Sequence, residues 1–175
     1  MLLAKGVEKG YSLPDTLVIE GPRALIESRS PGGAELLAFV CNGELFAVEL
    51  RAIHEIVIPP PITPVPRACP AILGICSVRG RLATVVDLRH VLGQPPQPPG
   101  RRSRVLLAQS SSDELLGLLV DEVRQVVRLS VAQLELSSQN LGGDVSEAVR
   151  GIGRPDTGEV LVLLDLLAVL QKGGV

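Results

Sequence analysis

Apolar residues along this chain fall into short runs separated by polar and turn-forming breaks. The runs are LLAFVC (36–41), ELFAVEL (44–50), GICSV (74–78), RLATVVDL (81–88), RVLLAQ (104–109), LLGLLVD (115–121) and VRQVVRL (123–129). Each has strand length and is rich in Val and Leu, so β-strands are predicted for all seven. In RLATVVDL, Leu82, Thr84, Val86 and Leu88 alternate with Arg81, Ala83, Val85 and Asp87. That spacing predicts a half-buried strand with its charges on the outer face. Asn42-Gly43 separates the first two runs, and a type I′ hairpin turn is expected there because both central residues need positive φ. SSSDE (110–114) and RPDTGE (154–159) read as two further turns.

Ten of the 14 prolines lie in residues 59–70 and 95–99. Proline cannot donate to a sheet ladder, so both stretches are connections. Helix is scarce. RACPAILG (67–74) has room for one short turn, and DLLAVLQK (165–172) has helical spacing with Gly173 as a stop. Many short strands, Gly/Pro-rich turns and few helices predict an all-β chain of the barrel or sandwich kind. Residues 1–34 mix Gly, Pro and charges without a sustained period and read as a mobile or loosely docked extension. The alternative is that TLVIE (16–20) adds one strand to the body.

The chain has 175 residues, 46% of them hydrophobic, enough for one compact domain or two small fused ones. Seventeen basic side chains against 19 acidic ones leave no global positive field for nucleic acid or anionic lipid. Phe39, Phe46 and Tyr11 are the only aromatic residues, too few for a base-stacking platform. Cys41, Cys69 and Cys76 form no C-x-x-C and have no nearby His pair, so they are expected as buried thiols rather than a disulfide framework or a zinc site. No apolar run has the length of a membrane span or the form of a secretory signal, and a cytoplasmic location is expected.

Candidate catalytic groups are few. His54-Glu55 and Asp87 with His90 bring imidazole and carboxylate close in sequence, and His90 with Asp87 is the one pair on which a hydrolase could be built. No G-x-S-x-G, P-loop or G-x-G-x-x-G accompanies them. Asp87, Asp121 and Asp165 each follow an apolar run, an arrangement that could bring three acids to a metal. Asp87 and Asp165 also precede the helix-like segments DLRHVL and DLLAVL, where a carboxylate accepts hydrogen bonds from the first amides of a helix, and that reading is preferred. No catalytic residue, metal or cofactor is expected.

Four blocks in order resemble the CheW-like family of chemosensory coupling proteins: LLAFVCNGELFAVEL followed by the I-x-EI of RAIHEI, CPAILGICSVRG continuing into VVDLR, LLGLLVDEVRQV, and AVRGIG with LVLLDL. They span about Glu35 to Lys172, leaving 1–34 as an extension and 173–175 as a tail. The VRG and DLR elements of residues 78–89 are the most specific piece. The resemblance implies two packed five-stranded SH3-like β-barrels with a chain crossover, no active site, and two partners. These are the regulatory domain of a CheA-type histidine kinase and the cytoplasmic tip of a methyl-accepting chemoreceptor. Self-association in rings is also implied. Carried over by position, the partner-binding residues are Ile53, Glu55, Gly74, Arg79, Gly80, Val105, Gly117, Val123, Val126 and Gly151. Arg79, at a hairpin tip, is expected either to face a partner or to lock the two barrels together. The dense prolines of 59–66 and the Cys76-Ser77 pair depart from the family pattern. The competing reading is a stand-alone β-barrel that binds peptides, with PPPITPVP as an internal ligand.

Overall fold

The computed structural model describes residues 33–110, 113–136 and 148–175. The expected extension lies almost wholly outside them, as does TLVIE. The described residues form eleven strands: β1 (Ala34–Cys41), β2 (Glu44–Glu49), β3 (Glu55–Val57), β4 (Ile72–Val78), β5 (Arg81–Asp87), β6 (Arg104–Gln109), β7 (Leu115–Val120), β8 (Glu122–Leu129), β9 (Leu134–Leu136), β10 (Val149–Gly153) and β11 (Leu161–Leu164). Two short helices follow strands, α1 (Leu88–Val91) and α2 (Leu166–Lys172). All seven expected strands form. RACPAILG makes no helix; turns at its start lead directly into β4.

The strands make a six-stranded sheet, β8-β1-β2-β11-β10-β9, and a five-stranded sheet, β3-β6-β7-β5-β4. Omitting the three-residue β9, the two ladders have the same pairing sequence: antiparallel, antiparallel, parallel, antiparallel. The five expected strands per sheet are therefore present, with β9 added to one. Neither ladder closes into a hydrogen-bonded barrel, because β8 and β9 end one and β3 and β4 end the other.

The sheets exchange their hairpins. The first half of the chain contributes β1 and β2 to the larger sheet and β3 to β5 to the smaller; the second contributes β6 and β7 to the smaller and β8 to β11 to the larger. The sequence carries a trace of this repeat. AILGI (71–75) and AVRGI (148–152) both open a strand that bulges just before its glycine, and Asp87 N and Asp165 N donate to Ala71 O and Ala148 O at 2.9 and 2.8 Å.

Three apolar clusters result. Leu36, Ala38, Leu129 and Leu161 pack inside the larger sheet, and Ala83, Val85, Val105 and Leu119 inside the smaller. Between the sheets lies the largest cluster, including Phe39, Phe46, Val86, Leu88, Leu118 and Leu170. Alternate residues of a central strand thus enter different cores, which is why LLGLLV in β7 is buried throughout. The same arrangement corrects the expectation for β5. Ala83 and Val85 are fully buried rather than outward, and Leu82 is 70% exposed. The Phe39 and Phe46 rings stack in the core with centroids 6.0 Å apart.

Asn42 and Gly43 take positive φ as expected, as do Arg79 and Gly80. Cys41 and Cys76 are buried, but Cys69 is exposed in the turn before β4. In the tail, residues 173–175, Gly173 N donates to Val169 O at 3.0 Å, and Val175 packs against the central cluster.

Candidate functional site

The hairpin between β4 and β5 has a two-residue loop, with Val78 opposite Arg81. Arg79 (φ 50°) and Gly80 (φ 82°) provide the left-handed pair that such a loop needs. Gly80 meets no neighbour within 4 Å of where a Cβ would lie, so its backbone conformation is what requires glycine. The loop holds the Arg79 side chain in solvent, and its Nη2 donates to Glu55 Oε1 at 2.6 Å. Glu55 begins β3, at the opposite edge of the same sheet. The ion pair therefore spans the two edges of the smaller sheet, which corrects the expectation that Arg79 could lock one barrel to the other. Thr63 assists from the proline-rich connection, exchanging hydrogen bonds with Ile75 at 2.8 and 2.9 Å.

The ten candidate residues occupy four kinds of place. Glu55, Arg79 and Gly80 form the exposed corner just described. Val126 is 48% exposed and Val123 half-buried on β8, in the other sheet. Ile53, Val105 and Gly117 lie inside: Ile53 in the central cluster, Val105 in the core of the smaller sheet, and Gly117 where a Cβ would come within 2.6 Å of Val105 Cγ1. Gly74 and Gly151 stand at the equivalent bulges of β4 and β10. A Cβ on Gly74 would strike Thr63 O at 2.1 Å, so glycine there admits the proline-rich connection alongside β4.

A buried polar joint escaped the sequence reading. Arg89 on α1 is 3% exposed, donates to Asp121 Oδ1 and to Gln97 O at 2.7 Å, and lies 3.6 Å from Asp87 Oδ2. Asp121, at the corner from β7 to β8, accepts from Asn42 N at 2.6 Å through Oδ2, while its own N–H donates to Val40 O at 3.0 Å. One arginine thus ties α1, the first hairpin and the crossover between sheets. Burial pushes the Asp87 carboxyl above its ordinary value, with the Arg89 amide and guanidinium opposing. Burial, reinforced by Asp121, pushes the Cys41 thiol up to about 12, so it stays protonated and unreactive at neutral pH. The sequence signal for the joint was the DLR triplet together with the acid closing LLVD.

Asp87 Oδ1 caps α1 by accepting from Arg89 N at 3.0 Å, and Asp165 Oδ1 caps α2 from Leu167 N and Ala168 N at 3.0 and 3.2 Å. The preferred reading of these two acids holds. Asp87 is committed to the cap, and His90 is exposed on the following helix. Pro59 and Pro60 line a shallow depression with Ile62, Leu73 and Pro99 rather than occupying an aromatic groove, and both phenylalanines are buried. No helix among the described residues is long and apolar enough to cross a membrane.

The CheW-like domain family matches residues 35–173. This chain belongs to the CheW-like family. The probable chemotaxis protein CheW of Rhizobium etli is 30% identical over 147 residues, 84% of this chain and 94% of that protein. The chemotaxis protein CheW of Thermotoga maritima is 27% identical over 138 residues, covering 79% and 88%. Among solved structures, the scaffolding protein TtCheW of Thermoanaerobacter tengcongensis superposes with a TM-score of 0.69 at 25% identity, covering 77% of this chain and 90% of that one. The match to Rhizobium meliloti CheW spans 63% of that protein at 36% identity. The CheW-like chain is a non-catalytic scaffold of chemotaxis signalling, not a hydrolase, and membership favours that reading over a stand-alone peptide-binding module.

Proposed function

We propose that this CheW-like scaffold acts in the cytoplasm, coupling the cytoplasmic tip of a methyl-accepting chemoreceptor to the regulatory domain of a CheA-type histidine kinase within receptor arrays. The observation that carries the reading is the Arg79 and Glu55 corner. It places an exposed guanidinium beside a half-buried carboxylate at the rim of the smaller sheet. A partner that brings its own carboxylate or carbonyls there competes for the guanidinium without disturbing the core. Val123 and Val126, on the other sheet, form the apolar part of a second surface. Ile53, Gly74, Val105, Gly117 and Gly151 act from beneath, by setting the shape of the strands that carry these surfaces. The finer architecture we assign is two SH3-like barrels, each sheet curling around its own small core, preceded by an extension over residues 1–34.

Two modest surfaces on one small scaffold suit transient contacts of roughly 1,600 Å² or less, strengthened by multivalency in an array and by self-association in rings. Calorimetric titration against a receptor tip, and separately against a kinase regulatory domain from the same organism, tests the proposal. Both bind the unaltered chain, and Arg79→Ala weakens at least one of them while the protein stays folded. A well-folded sample that binds neither partner overturns the coupling role. Unchanged affinities for Arg79→Ala move the contact away from this corner.

A further inference from the structure

A second charged surface lies apart from the Arg79 corner. Residues 100–103 make a tight turn before β6, closed by Ser103 N to Gly100 O at 3.1 Å and by Gly100 N to Ser103 Oγ at 2.8 Å. The turn exposes Arg101 and Arg102, with Arg104 following at the start of β6. Arg124 of β8 joins them, because Arg102 and Arg124 both reach Glu122, at 3.4 and 3.6 Å. Among the described residues, Arg104 donates to two carbonyls, those of Ser103 at 2.7 Å and Arg101 at 3.4 Å, and neither it nor Arg101 pairs with a carboxylate. The adjacent Asp121 is occupied by Arg89 and Asn42. Of these four guanidiniums, two reach the single carboxylate of Glu122 and two reach none among the described residues, in a chain whose formal charge is −2.

An apolar strip borders this cluster. The β3 and β6 ladder ends with Val57 opposite Val105, so the next step brings Ile58, 72% exposed, alongside Arg104. Beyond it, Pro59, Pro60, Leu73 and Pro99 wall a shallow depression of about 250 Å³. We propose that this face docks an acidic segment of a partner protein, its carboxylates on the arginine forks and an apolar side chain in the proline-walled depression. Planar guanidiniums engage carboxylates two hydrogen bonds at a time. The patch offers no ring on which a nucleic-acid base could stack. Its concave apolar part receives a side chain rather than inserting into a bilayer. The inference does not depend on the coupling role.

The test is fluorescence anisotropy with a labelled peptide of repeated Glu-Leu-Glu-Glu units, beside a Lys-Leu-Lys-Lys counterpart and phosphatidylserine vesicles. The acidic peptide binds and weakens with salt, and the lysine peptide does not bind. Arg101→Glu with Arg102→Glu lowers affinity at least about tenfold, while Arg128→Glu with Arg154→Glu, the same change of net charge elsewhere, alters it less than about twofold. Arg101→Ala breaks no side-chain hydrogen bond or ion pair among the described residues, and it still weakens binding about threefold. Equal losses from both double variants, an unchanged Arg101→Ala, or vesicle binding tighter than peptide binding with the same arginine dependence would each overturn the proposal. Failure of the receptor and kinase titrations leaves this result standing.

Discussion

The two sheets solve one structural problem with different residues. In each, the strand that pairs in parallel with a hairpin strand leads into a helix through an aspartate that caps it, Asp87 in the smaller sheet and Asp165 in the larger. Asp87 is answered by Arg89 from the helix it caps, and that arginine is buried because it also reaches Asp121 at the crossover. Asp165 is answered by Arg150 from the neighbouring strand β10, where both side chains remain about one-fifth exposed. At the position corresponding to Arg89, two residues after the capping acid, the larger sheet has Leu167. Equivalent topology thus leaves one charge pair wet and dedicates the other to joining the sheets. Water screens the first, while the second depends on complete pairing.

Replacing Arg89 with leucine, the choice already made at Leu167, should break that contrast most severely. Asp87 and Asp121 lose their buried counter-charge, and urea denaturation should show a loss of about 3–5 kcal/mol. Gly74→Ala comes next: its Cβ meets backbone at Thr63 O, and the same titration should read about 2–4 kcal/mol. Arg150→Leu should cost only about 1 kcal/mol, since Asp165 keeps its cap bonds and access to water. A larger loss there than for Arg89→Leu would refute the distinction drawn between the pairs. Arg79→Ala, which removes an exposed pair, should cost less than about 1 kcal/mol.

Acidification sharpens the same contrast. The folded carboxyl of Asp87 titrates above its ordinary value of 3.8, so the folded state binds its proton first. Its contribution is fully present below the unfolded value and is lost as pH rises through the folded one. The difference in unfolding free energy between the unaltered chain and Asp87→Asn should therefore move in favour of the unaltered chain as pH falls from neutral toward 4. Movement in the opposite direction would show that pairing with Arg89 outweighs burial.

Local chemistry was legible wherever one residue type decides a conformation. Asn42-Gly43 identified its hairpin, the prolines identified the connections, and Asp87 and Asp165 identified their caps. Alternation in β5 misled because period two reports a half-buried strand only when one face is wet, and this strand divides its residues between two cores. Of the candidate site, the Arg79 and Glu55 corner could be sensed from a charge at a turn. Val105 and Gly117 could not be sorted from surface residues, since a valine or glycine in a strand reads the same on either side of a sheet. Arg89 was missed for a related reason: DLR and the acid closing LLVD each stand out locally, but only the fold brings them together across 32 residues.

The exchange of hairpins also dictates how the chain can come into being on a ribosome. β2 acquires its parallel neighbour only when β11 emerges, and β5 waits for β7. Neither sheet can be completed from a nascent first half, so cooperative folding must wait for nearly the whole chain. Until then LLAFVC and VVDL present apolar faces with no lasting cover, and a stall in translation past β5 exposes the very strands that later bury the joint.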